Sequence, residues 1–149
     1  MKYDCATQSG NPLTPTLSGN FSNSGANNDR PDMFSNPNEN APHTAQQWFN
    51  TSAFTPLRAA SGAAGALYSF GNAGKGVINS PGLNTTDVSI VRSFAVKEEL
   101  KIQFRGEFFN VFNHTNFNFP NVQVDNSAFG RITSAQDPRQ IQLALKILF

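Results

Sequence analysis

The sequence predicts an all-β, antiparallel fold, and three observations predict it. In Gln140 to Phe149, Ile141, Leu143, Leu145, Ile147 and Phe149 fall on one side of an extended chain, with Gln140, Gln142, Ala144 and Lys146 on the other; only Leu148 breaks the alternation. Leu100 to Phe108 repeats the pattern, setting Leu100, Ile102, Phe104, Gly106 and Phe108 against Lys101, Gln103, Arg105 and Glu107. The third observation is composition. Charged residues make up 14% and hydrophobic residues 38%, while Asn, Ser, Thr, Gly and Pro fill the remainder, which is a turn vocabulary.

In chain order, Met1 to about Ala41 reads as irregular loop, with a turn signal at Asn27, Asn28, Asp29, Arg30 and Pro31 and no sustained period. Gln46 to Leu57 concentrates Trp48, Phe49 and Phe54. It reads either as a short helix opened by Thr44 or as a packed loop burying its rings. Ala59 to Leu67 is a connector of small residues. Phe70 to Gly76, FGNAGKG, invites a phosphate-loop reading, but its spacing to Lys75 is wrong and no Ser or Thr follows. A Gly-rich turn needing positive φ is the better account.

Strand texture begins at Asn84. Val88, Ile90 and Phe94 alternate with Asp87, Ser89 and Ser93, although Arg92 sits on the apolar side and Val91 opposite it. A tight link at Val96 to Glu99 precedes the second strand, and turn signals at Pro120, Asp125, Gly130 and Pro138 mark a long loop before the third. The expected organisation is a loop-rich region over 1–83 and a three-stranded antiparallel segment over 84–149 with a long loop at 113–139.

Chemistry is thinly represented. A formal charge of +1 without Lys or Arg clusters gives no case for nucleic acid. The single cysteine, Cys5, has no internal disulfide partner. The opening residues lack a signal-peptide run, and no stretch is long and apolar enough for a membrane helix. His43 and His114 lie among Asn and Thr in loops, and no HExxH or GxSxG pattern occurs. Calcium is the most plausible metal. Asp125, Ser127 and Gly130 echo an EF-hand loop, but Phe129 occupies a ligand position and Gln136 replaces the bidentate Glu.

One short and one long connection in succession match the short periplasmic turns and long extracellular loops of outer-membrane barrels. The residues also resemble a family. NNDRPD at Asn27 to Asp32, WFNTSAF at Trp48 to Phe54, FGNAGKG, KIQFRGEFFNVFNHTNF at Lys101 to Phe117 and FGRITSAQDPRQIQLALKILF at Phe129 to Phe149 are similar to the C-terminal barrel end of TonB-dependent outer-membrane receptors. The likeness is to the Oar-like type with a carboxypeptidase-regulatory-like domain, found in acidobacteria.

That resemblance implies a segment of an energy-coupled uptake receptor in the outer membrane, and the thin chemical inventory adds the expectation that it is non-catalytic and carries no cofactor. It also implies that Phe149, with Ile141, Leu143, Leu145 and Ile147, forms the signal read by the barrel-assembly machinery. Plug and TonB box are missing from these residues, so the chain is expected to be a fragment of a longer protein, self-associating through its apolar strand faces when isolated. The alternative from a different class is a free-standing soluble protein acting as a Ca²⁺-dependent hydrolase of esters or lactones, with Asp29, Asp32, Asp125, His114 or Asp137 at its site.

Overall fold

The computed structural model describes residues 1–22, 25, 29–55, 70–96 and 100–149. The Asn27–Asn28 part of the turn signal, the Ala59 to Leu67 connector, Pro56 and Leu57, and residues 97–99 of the short link lie outside the described residues. The strands are β1 (Lys2–Gln8), β2 (Pro12–Leu13), β3 (Asp32–Met33), β4 (Phe54–Thr55), β5 (Ile78–Asn79), β6 (Leu83–Ala95), β7 (Lys101–Phe109) and β8 (Gln140–Leu148). All strand pairs are antiparallel, and no α-helix occurs among the described residues. The fold is all-β, as the sequence predicts.

The chain divides into two compact units. The first, Met1–Ser9 with Gly82–Asn116 and Ala135–Phe149, holds one four-stranded sheet in the order β1-β6-β7-β8. The expected three strands are therefore joined by a fourth, and the loop reading of the first residues is corrected: Lys2–Gln8 pairs along β6 from Lys2↔Ser89 to Gln8↔Leu83. Its residues gave no signal because Lys2, Asp4, Ala6 and Gln8 alternate with Tyr3, Cys5 and Thr7, a pattern without a continuous apolar face. Backbone pairing, not burial, holds this strand.

On its two sides β6 pairs at different heights, with β1 against residues 83–89 and with β7 against residues 88–95. A stepped register of this kind is the stagger that lets a sheet curl and close. At thirteen residues, β6 exceeds the roughly 9–11 that cross a bilayer.

The second unit, Gly10–Pro81 with Phe117–Ser134, has short two-residue pairings and a ring-built core. Phe49 is 1% exposed and packs edge-on against Phe54 and Phe129, with ring centroids 6.1 and 5.2 Å away. Ala53, Ala73 and Ile78 complete the cluster, with Trp48, Val77 and Val122 packed around it. Of the two sequence readings of Gln46 to Leu57, the packed loop is the observed one over its described part. Its one helical piece is a 3-10 turn at Thr51–Ala53, capped by the Asn50 side chain rather than by Thr44. Gly130, at φ +79°, lets the loop fold against this core, since a side chain there would meet Thr51. Gly76, at φ +66°, supplies the positive-φ turn expected of FGNAGKG.

Buried polar groups in this unit are satisfied locally. The Asp29 carboxylate accepts from the Ser22 amide at 2.5 Å and from the Ser22 hydroxyl at 2.8 Å, so burying it leaves no unpaired charge-bearing oxygen pair. At Asp125, which is exposed, slight desolvation pushes the carboxyl up, but hydrogen bonds from the Ser18 hydroxyl and amide and from Gln123 outweigh it. The group is held below its ordinary 3.8.

Candidate functional site

Residues that pair directly across antiparallel strands share a face, so the register sorts every side chain of the sheet. One face carries Ile141, Leu143, Leu145 and Ile147 from β8, and opposite them Phe108, Gly106, Phe104 and Ile102 from β7. Val88, Ile90 and Phe94 of β6 continue it. Gly106 is the gap in this row, and the rings of Phe104 and Phe108 with Leu143 crowd over it. Leu143 and Leu145 are about two-thirds exposed (66% and 65%), which in water leaves a contiguous apolar sheet surface uncovered. Arg92, the exception expected from the sequence, does lie on this face, paired with Phe104 near the short-link end, its guanidinium 5.9 Å from the Phe94 ring centre.

The opposite face is polar. Lys101, Gln103, Arg105 and Glu107 of β7 stand beside Lys146, Ala144 and Gln142 of β8 and Ser93 and Ser89 of β6. Arg105 and Glu107 form an ion pair at 2.5 Å, and Gln103 donates to Ser93 at 3.2 Å. The long connections all depart from one end of the sheet, after Gln8 and Phe109 and before Leu83 and Gln140, while the short β6–β7 link lies at the other end.

At the long-connection end a clasp of asparagines closes the sheet. Asn110, at φ +50°, turns the chain out of β7; its amide nitrogen donates to the Asp87 carboxylate and its side chain bonds both the N–H and the C=O of His114. Asn116 is 3% exposed and acts as a substitute strand partner: its Oδ1 accepts from Asn84 N at 2.8 Å and its Nδ2 donates to Asn84 O at 3.0 Å. Asn113 accepts from the Arg139 amide and so ties the start of the long loop to the approach to β8. His114 Nδ1 lies 3.2 Å from the same Asn116 oxygen. His114 is thereby a loop fastener. The sequence missed these roles because an asparagine destined for burial looks the same in sequence as one in a solvated turn.

Beside the clasp the polar face forms an open cavity of about 500 Å³, lined by Thr85, Asp87, Phe109, Gln136, Asp137 and Gln140 among others. Of the calcium candidates, Asp125 accepts from the Ser18 amide and hydroxyl. Ser127 stands in the turn that follows, where the nearby Asn126 side chain accepts from Ala128 N. Among the described residues no group of three or more His, Cys, Asp or Glu side chains converges. The hydrolase alternative is not favoured by this geometry.

A sheet with one lipid-like and one water-like face, stepped register and all long connections at one end is barrel architecture. A family model described as an outer membrane beta barrel domain matches residues 5–142. The chain belongs to that family. No curated protein matches it, and no solved structure does. Within an outer-membrane barrel domain the apolar face meets lipid and the polar face lines the interior, because strand side chains alternate between the two. No helix among the described residues is long and apolar enough to cross a membrane, which says nothing of strands.

Proposed function

We propose that this outer-membrane barrel domain is part of the wall of a TonB-dependent uptake receptor of the Oar-like type, with no catalytic role. The observation that carries the reading is the division of the four-stranded sheet into a predominantly apolar face, broken by Arg92 and Gly106, and a polar, charged one. The five segments of resemblance, above all Lys101 to Phe117 and Phe129 to Phe149, support the receptor type. In this orientation the short β6–β7 link faces the periplasm and the long connections face outward.

Four strands are about half of the smallest barrels, and β1 and β8 each have one edge without a partner strand among the described residues. In hydrocarbon each unpaired backbone group costs several kcal/mol. Closure therefore takes further strands, supplied by the rest of a longer receptor. Ile141, Leu143, Leu145, Ile147 and Phe149 serve as the signal for barrel assembly, since they present a periodic apolar ridge on a strand with one open edge.

The test is fractionation of the receptor in its host, with Ile141, Leu143 and Leu145 together changed to Ser. Loss of the protein from the outer-membrane fraction is the expected result, and undiminished assembly contradicts the signal. Uptake that survives collapse of the proton-motive force contradicts TonB coupling.

A further inference from the structure

We propose that the cavity at the long-connection end of the polar face is a binding site for a neutral polyhydroxylated solute, a short oligosaccharide. At about 500 Å³ it falls within the roughly 300–1,000 Å³ of small-molecule sites. Its lining combines planar hydrogen-bonding groups, Asp87, Gln136, Asp137 and Gln140, with the Thr85 hydroxyl and the ring of Phe109. Planar carboxylate and amide groups accept and donate in one plane, which suits the adjacent hydroxyls of a sugar ring, while an aromatic face suits its C–H surface.

The polar groups are only partly used by the protein. Asp87 receives the Asn110 amide through Oδ1, and Asp137 receives the Gln140 side chain through Oδ2 at 3.3 Å. Among the described residues no hydrogen bond reaches the second oxygen of either carboxylate, which leaves it for a ligand. The floor, by contrast, is held in place: Asn110 and Asn116 are buried, and each engages the backbone N–H and C=O of one residue, His114 and Asn84 respectively, through its side-chain oxygen and nitrogen. A rigid floor under underused polar groups lowers the ordering cost of binding.

The same lining argues against other ligands. Two carboxylates without a cationic side chain among the lining residues repel an anion. A metal ion is disfavoured because no three metal-type ligands converge among the described residues.

The proposal depends on the barrel-wall reading only in taking this face to line the interior, and the two fail separately: sugar binding is measured without membrane insertion, and insertion without sugar. The experiment is saturation-transfer NMR and calorimetry on the full chain refolded in detergent micelles, with maltotriose and cellobiose as probes, glucuronate as the anionic control and spermidine as the cationic one. Saturable binding of a neutral sugar is expected, weakened about fivefold or more by Gln136→Ala or Asp137→Ala, the loss of roughly one hydrogen bond. Ser93→Ala, on the same face but outside the cavity, should leave it unchanged.

Both cavity positions are exposed, and unchanged strand circular dichroism verifies folding. If either variant loses that signal, Thr85→Val, which keeps side-chain shape, gives the same reading. No saturable sugar binding by the folded chain, equal binding in the variants, or tighter binding of spermidine or glucuronate than of sugar would each overturn the proposal.

Discussion

The two units solve opposite problems. The unit around Phe49 buries its rings and has almost no regular pairing, with strands of two residues. The sheet unit has long, continuous ladders, and its aliphatic side chains stay exposed. Regularity and burial thus separate along one chain. In water, burial is what stabilises a fold, so the ring-packed unit is organised for water; the sheet unit is organised for a solvent that covers the apolar face for it.

The contrast gives its largest predicted effect at Phe49. Phe49→Ala should destabilise the ring-packed unit by about 3–5 kcal/mol, seen as a lowered thermal midpoint in near-ultraviolet circular dichroism. The ladder pairings of the sheet, followed by amide hydrogen exchange, should persist. A fall in protection across β7 and β8 equal to that in the ring-packed unit would show that the two do not stabilise separately.

Next in size is a charge on the apolar face. Leu145→Arg should cost about 2–4 kcal/mol in a bilayer if it lies near the midplane, yet almost nothing in water, where the residue is already exposed. Equal effects in both media would remove the lipid assignment.

Asn116→Ala tests the clasp that ends the sheet. Removing its side chain takes both partners from the Asn84 backbone, whose N–H and C=O water can reach in part, at about 0.5–1.5 kcal/mol per bond. Exchange of the Asn84 amide should accelerate, and unaltered exchange there counts against the substitute-partner role.

The smallest effect concerns pH. The Asp125 carboxyl is depressed below 3.8, so its stabilisation is fully present above that pH and is lost as pH falls through the lower folded value. The thermal midpoint of Asp125→Asn should therefore lie slightly below the parent at neutral pH and converge with it in acid. The group is exposed and the difference is small; a gap that widens in acid would contradict the assignment.

These differences also explain what the sequence discloses. β7 and β8 are legible because lipid and water impose a strict period of two, and Arg92 could be placed on the apolar side from alternation alone. β1 was hidden, since Tyr3, Cys5 and Thr7 do not make a recognisable apolar row. In the other unit, Trp48, Phe49 and Phe54 announced a packed cluster. Their long-range partners did not, because Leu13↔Ile78 and Met33↔Phe54 are pairings too short to leave a period. Asn110 and Asn116 were invisible as structural groups for a related reason: a satisfied buried amide depends on which backbone it meets, and only the fold brings Asn84 to Asn116.

The most direct test of the central claim is a spin-label scan of β8. Single cysteines at 141 to 147, in a Cys5→Ser background and in the barrel reconstituted into phospholipid vesicles, should alternate in accessibility. Labels at 141, 143, 145 and 147 are predicted to be relaxed by oxygen dissolved in the lipid, and those at 142, 144 and 146 by a water-soluble nickel chelate. Absence of this two-residue alternation, or its reversal, would contradict the assignment of the apolar face to lipid.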